Sequence, residues 1–188
     1  MRFKSSLLVL GLVAASFGVV QAAPVRKIVP KGAVSFTSKE QRFAVWFPVQ
    51  PRQSSGAWFI GGGVKEIEPN SFTFETSAKP IRYWVKVTIK LAQGAQHNAK
   101  KELRQIQQEF LDYPQDKFQK QEEIQLSGFS GREIQASWLD GKETTRARLY
   151  LTPKHLYEIV AVGKKAEMQK QAAQINRVFD SFRILPQK

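Results

Sequence analysis

The chain has 188 residues, no cysteine and a formal net charge of +13, with 42% of its residues hydrophobic. That length and apolar content suit one domain with a substantial core. The missing cysteine excludes disulfides, a thiol nucleophile and a lipid anchor on cysteine, while the basic excess points to anionic partners.

The N-terminus reads MRFKSSLLVLGLVAASFGVVQAAPV. Arg2 and Lys4 form a positive n-region, and Leu7 to Val20 form an apolar run. Val20-Gln21-Ala22 then places small residues where a signal peptidase reads. The pattern predicts a secretory signal peptide over 1–22. A membrane anchor is the rival reading, but the run is short for a bilayer span. After cleavage no segment is long and apolar enough to cross a membrane. The expected location is secreted or periplasmic, or the thylakoid lumen in a photosynthetic source. That compartment disfavours nucleic acid. It leaves anionic lipid head groups, acidic envelope polymers or an acidic protein face as partners.

Residues 23–37 carry Pro24, Pro30, Gly32 and three basic residues, and predict a flexible or loosely docked arm. A single domain is expected over 38–188. Phe43-Ala-Val-Trp-Phe47 reads as a strand with Phe43, Val45 and Phe47 on one face, stopped by Pro48. Residues 50–56 are turn chemistry. Gly61-Gly62-Gly63 between apolar pairs predicts a hairpin turn. A phosphate-cradling loop would need a helix directly after it, and Val64 to Pro69 does not read as one.

Phe72 to Glu75 is a further strand. Tyr83 to Leu91 is the clearest: Val85, Val87, Ile89 and Leu91 alternate with Trp84, Lys86, Thr88 and Lys90. Asn98 is placed to cap a helix whose stripe is Ala99, Leu103, Ile106 and Phe110. Ile134, Ala136 and Trp138 alternate along another strand, and Asp140-Gly141 is a hairpin turn signal. Thr144 to Thr152 returns with Ala147, Leu149 and Leu151 inward and Arg146, Arg148 and Tyr150 outward. Leu156 to Val162 is apolar almost throughout, as expected of a central strand covered on both faces. From about Lys164 to Phe182 a helix is predicted on Met168, Ala172, Ile175, Phe179 and Phe182. Antiparallel hairpins with segregated helices predict an α+β fold with a sheet packed between helices.

Three stretches resemble the PsbP-like superfamily. They are RFAVWFP (Arg42 to Pro48), the hairpins from Leu126 to Gly163 with their Gly-x-x-Gly-Arg-Glu opening, and FDSFRIL (Phe179 to Leu185). The likeness runs from about Thr37 to Leu185, and residues 50–82 depart from it. It implies an α/β/α sandwich around a central antiparallel sheet. The superfamily holds photosystem II extrinsic proteins, a small-GTPase-binding nuclear factor, periplasmic proteins, and mycobacterial lipoproteins that partner membrane transporters. These are mostly binding and assembly modules with no shared catalytic residues to carry over.

Catalytic candidates are few. Ser130 sits in Ser127-Gly128-Phe129-Ser130-Gly131, between strands and with the second glycine one residue early for a nucleophile elbow. Its glycines are better explained by positive φ or close backbone approach. His97 and His155 are the only histidines. Asp140, Glu143 and Glu158 lie near His155 in sequence, but the spacing matches no metal-ligand pattern, and an exposed turn histidine is expected. Glu122-Glu123 with Asp112 or Asp116 are the imaginable glycosidase carboxylates, against the simpler reading of solvated charges. No cofactor or metal is implied.

Arg82, Trp84, Lys86 and Lys90 share the outward parity of one strand, and Arg146 and Arg148 that of another. Together they are the candidate patch for an anionic partner. The competing expectation is that helices cover them and the long side chains run out from beneath. The predicted role is a non-enzymatic binding or assembly-accessory protein of the envelope. The alternatives are a structural envelope protein held by charge alone, and a hydrolase using other carboxylates.

Overall fold

A computed structural model describes residues 32–55, 58–60, 63–65, 70–90, 98–108, 117–138 and 141–186. The predicted signal peptide, most of the arm, Gly61-Gly62, His97, Phe110, Asp112, Asp116 and Asp140 lie outside these residues.

Seven antiparallel strands form the main sheet. They are β3 (Arg52–Ser55), β6 (Ser71–Ala78), β7 (Ile81–Ile89), β8 (Lys117–Leu126), β9 (Phe129–Trp138), β10 (Glu143–Leu151) and β11 (His155–Lys164). Their order is β3-β6-β7-β11-β10-β9-β8. As its apolar run predicts, β11 lies at the centre, and it is buried from His155 to Gly163. β4 (Trp58–Ile60) and β5 (Gly63–Lys65) pair as the predicted hairpin, with Ile60 opposite Gly63. β8 and β9 are joined by Ser127-Gly128, both at positive φ (52° and 83°). Two such residues between antiparallel strands make a type I′ turn, whose twist matches the strands it joins.

Several strands differ from expectation. β1 (Val34–Ser38) lies where the arm was read, because Val34 and Phe36 alternate with Ser35 and Thr37 on a short segment beside basic, proline-rich sequence. β3 lies within the predicted turn. β8 gives little strand signal before Ile124 and Leu126, because its charged sequence leaves most positions exposed. A charged, bulged edge strand resists pairing with other chains, and β8 carries its irregularity between Phe118 and Lys120.

β1, β2 (Phe43–Phe47) and β12 (Arg183–Ile184) form a small sheet in the order β1-β2-β12. It covers one face of the main sheet together with α2 (Lys165–Lys170) and α3 (Ala172–Ser181). α1 (Ala99–Gln108) covers part of the opposite face. Asn98 caps α1 by accepting the Lys101 amide at 3.1 Å. The long C-terminal helix is broken at Gln171 (φ −97°, ψ 14°). After the break Ala172 is exposed, and Val178 is buried with Ile175 and Phe179.

Each face has its own core. Leu103 and Ile106 of α1 pack on Ile134, Ala147, Leu149, Leu156 and Val160. On the other face the core is aromatic. Phe43 lies 5.2 Å from Phe74, 5.9 Å from Phe182 and 6.4 Å from Tyr157, ring centre to ring centre. Edge-on contacts, as with Phe74 and Tyr157, and stacked ones, as with Phe182, add about 0.5–1.5 kcal/mol per pair to the burial of the rings. The result is an α+β sandwich with helices on both sides of an antiparallel sheet.

Candidate anion-binding cleft

The predicted basic patch is divided by the sheet. Opposed residues in an antiparallel pair point to the same face. Arg82, Trp84 and Lys86 oppose Val162, Val160 and Glu158 of β11 and therefore face α1. Arg146 and Arg148 oppose Ala161 and Ile159, whose side chains face α3. The six residues do not form one surface. Both faces of this sheet are covered, so a shared outward parity does not place residues on one side: the apolar face of β7 packs toward α3, and that of β10 toward α1. Tyr150, read as outward, is buried against Phe182 with rings 5.8 Å apart.

Four of the six are engaged inside the fold. Arg146 and Arg148 lie beneath α3, with guanidinium carbons 5.0 Å and 5.5 Å from the centre of the Phe179 ring. Both donate to Glu133 of β9, and they reach Asn176 and Asp180 of α3 at 2.5 Å and 2.9 Å. Burial alone would raise the Glu133 carboxyl. The Arg148 hydrogen bond and the charges of Arg146, Arg148 and Lys120 outweigh it and hold the group below its usual value. Lys86 is buried and pairs with Glu158 at 3.6 Å. Lys90 donates to Glu102 and so ties the end of β7 to α1.

Arg82 and Trp84 remain, and the fold adds partners that the sequence did not single out. Arg52 opposes Glu75, Glu75 opposes Trp84, and Ser77 opposes Arg82. All five face the α1 side, where α1 packs over β9 and β10. At the β3-β6-β7 end of this face lies a cleft of about 510 Å³. Arg52, Thr73, Glu75, Ser77, Arg82 and Trp84 line it, and Val49 and Gln50 bound it ahead of β3. Arg52, Arg82 and Glu75 are exposed, and among the described residues no ion pair engages any of them. Trp84 is half-buried, with part of its ring packed on the α1-side core. Arginine's planar fork suits a carboxylate or phosphate, and an indole offers a flat apolar surface. Arg52 was hidden by turn-like neighbours. The alternation of Thr73, Glu75 and Ser77 with Phe72 and Phe74 was the available signal for the rest.

The catalytic candidates do not converge. Ser130 lies within β9 rather than between strands, and lines a small pocket with Lys100, Glu123 and Arg132, whereas His155 lines another with Arg42, Phe129 and Tyr157. His155 is not an exposed turn residue. It opens β11, is buried, and lies 5.5 Å from the Tyr157 ring in a tilted contact. Burial, and then the charges of Arg42 and Lys154, lower its pKa. Glu158 points to the opposite face from His155, by strand alternation. Glu122 and Glu123 are adjacent on β8 and also point apart. Glu122 pairs with Lys120, and Glu123 with Lys100 and Arg104. Among the described residues no three His, Asp or Glu side chains are placed to hold a metal ion.

No protein-family model and no curated protein matches the chain. Solved structures do. Cyanobacterial PsbP (CyanoP) from Synechocystis sp. PCC 6803 superposes with a TM-score of 0.58 at 10% identity, covering 89% of this chain and 99% of that one. LpqN of Mycobacterium tuberculosis, described as involved in cell envelope biogenesis, gives 0.47 at 15% identity, covering 84% and 81%. The Ran-binding protein Mog1p of Saccharomyces cerevisiae gives 0.46 at 8%, covering 81% and 95%. At such identities a likeness extends to the fold alone. On the first of these superpositions, and on the sheet order and covering helices above, the chain has a PsbP-like fold.

Proposed function

We propose that the protein is a non-enzymatic accessory module of the cell envelope, secreted or periplasmic, which binds an anionic partner through the cleft on β3, β6 and β7. One observation carries this reading: Arg52 and Arg82 stand exposed and without ion-pair partners among the described residues, on the lining of one cleft that also holds Trp84. The other basic groups of the predicted patch are already satisfied within the fold. The mature chain, without Arg2 and Lys4, keeps a net charge of +13 − 2 = +11, which would draw such a partner in at low ionic strength. The leader-like sequence over 1–22 supports export, and N-terminal sequencing of the exported protein should begin at Ala23. No helix among the described residues is long and apolar enough to cross a membrane.

Sedimentation with envelope material from the source cells tests the reading. The mature protein should co-sediment at about 0.1 M salt and be released at about 0.5 M, where charges on a surface are screened within a few ångströms. Retention that persists undiminished at about 0.5 M salt would contradict an electrostatic site.

A further inference from the structure

The cleft is more specific than a basic surface, and its specificity lies in Glu75. This carboxylate stands in the same cross-strand row as Arg52 and Trp84, and Arg82 is its diagonal neighbour across β6 and β7. Diagonal neighbours of this kind are about 7–8 Å apart. A lipid or polyphosphate surface would gain from the arginines and lose to Glu75. Among the described residues, the charged side chains on the cleft's lining are two guanidiniums and one carboxylate, an excess of one positive charge. That excess matches a monoanion better than a dense array of phosphates. The hydroxyls of Thr73 and Ser77 add neutral donors and acceptors. The indole of Trp84 presents an apolar surface on the floor. A matching ligand carries one anionic group, several hydroxyl donors and a flat hydrocarbon face on a single rigid unit.

We infer that the cleft binds an acidic sugar of an envelope glycan. Its carboxylate is held by Arg52 and Arg82, its hydroxyls donate to Glu75, and its C–H face lies on Trp84. The cleft's volume of about 510 Å³ falls in the range of small-ligand sites. The inference rests on the proposed function, since it names the chemistry of that same site.

Glu75 supplies the test, because the two kinds of ligand predict opposite signs. Removing its charge should strengthen the binding of a bare anion and weaken the binding of a sugar whose hydroxyls it accepts. The mature protein is titrated with trigalacturonate, with the neutral galactose trimer, with adenosine monophosphate, and with vesicles of phosphatidylglycerol and phosphatidylcholine. Trigalacturonate is expected to bind at least about tenfold tighter than the neutral trimer and the nucleotide. Glu75→Ala and Arg82→Gln should each weaken it by about tenfold, and both sites are exposed, so thermal unfolding should be little changed. If Glu75→Ala tightens binding, or if the nucleotide or the vesicles bind best while Arg52→Gln and Arg82→Gln still weaken them, the sugar is overturned and the anionic cleft stands. If neither arginine affects any of the four probes, both fall.

Discussion

Arg148 donates from Nε to Oε2 of Glu133 at 2.6 Å, and Arg146 donates to the other oxygen, Oε1, from both Nε (3.1 Å) and Nη2 (2.9 Å). One buried carboxylate thus holds two arginines from the next strand under α3. The pairing consumes charges that the sequence alone offers as a binding surface.

Glu133→Gln should lower stability by about 2–4 kcal/mol, measured by urea unfolding, because it leaves two partly buried guanidiniums without their shared anion. The pH dependence has a defined sign. The folded-state pKa of Glu133 is depressed below the usual 4.5, so its contribution is fully present above that value. It is lost as the pH falls through the folded-state value. The variant should therefore show a shallower loss of stability below about pH 4.5 than the wild type.

Gly131 and Ser130 are neighbours on β9 with opposite tolerance. A Cβ on Gly131 would lie 2.5 Å from the Leu149 carbonyl oxygen and 2.6 Å from the Tyr150 ring. The carbonyl belongs to β10, which is paired on both sides, and cannot withdraw cheaply. Gly131→Ala should cost about 1–3 kcal/mol, as overpacking does in a core. Ser130→Ala should leave unfolding and partner binding unchanged within about 0.5 kcal/mol. A loss of partner binding in the Ser130 variant would reopen a chemical role for that hydroxyl.

His155 gives a second pH signature. Burial, followed by the charges of Arg42 and Lys154, depresses its folded-state pKa below 6.5. The unfolded chain then takes up the proton first as the pH falls. This contribution to stability is whole above about pH 6.5 and declines as the pH drops below it. Unfolding free energies of wild type and His155→Gln, compared between pH 7.5 and 5.5, should converge toward the acid end. Parallel curves would mean that the imidazole is not held neutral by its surroundings.

Much of the fold was legible because its strands repeat at period two and its helices at three and four. The run from Leu156 to Val162 gave away a strand covered on both sides, and Asn98 gave the start of α1. β1, β3 and β8 were not legible. Each lies at a sheet edge or is short, so little apolar pattern is required of it, and charge or turn-forming neighbours dominate the local sequence. The site was half legible. Alternation showed that Arg82 and Trp84 share a face, but which layer each strand's polar face meets is a tertiary fact. Only the strand order sends Arg146 and Arg148 to the other side and brings Arg52 and Glu75 to join Trp84.

The most direct measurement compares two charge-matched double variants in the envelope sedimentation assay at about 0.1 M salt. Arg52→Gln/Arg82→Gln empties the cleft of its guanidiniums. Lys100→Gln/Arg104→Gln removes the same charge from the exposed face of α1, where those side chains are 63% and 64% exposed. The cleft variant should lose most of its retention, by about tenfold or more, while the α1 variant keeps most of its own. Equal losses in the two would contradict a defined site and leave only the protein's general positive charge.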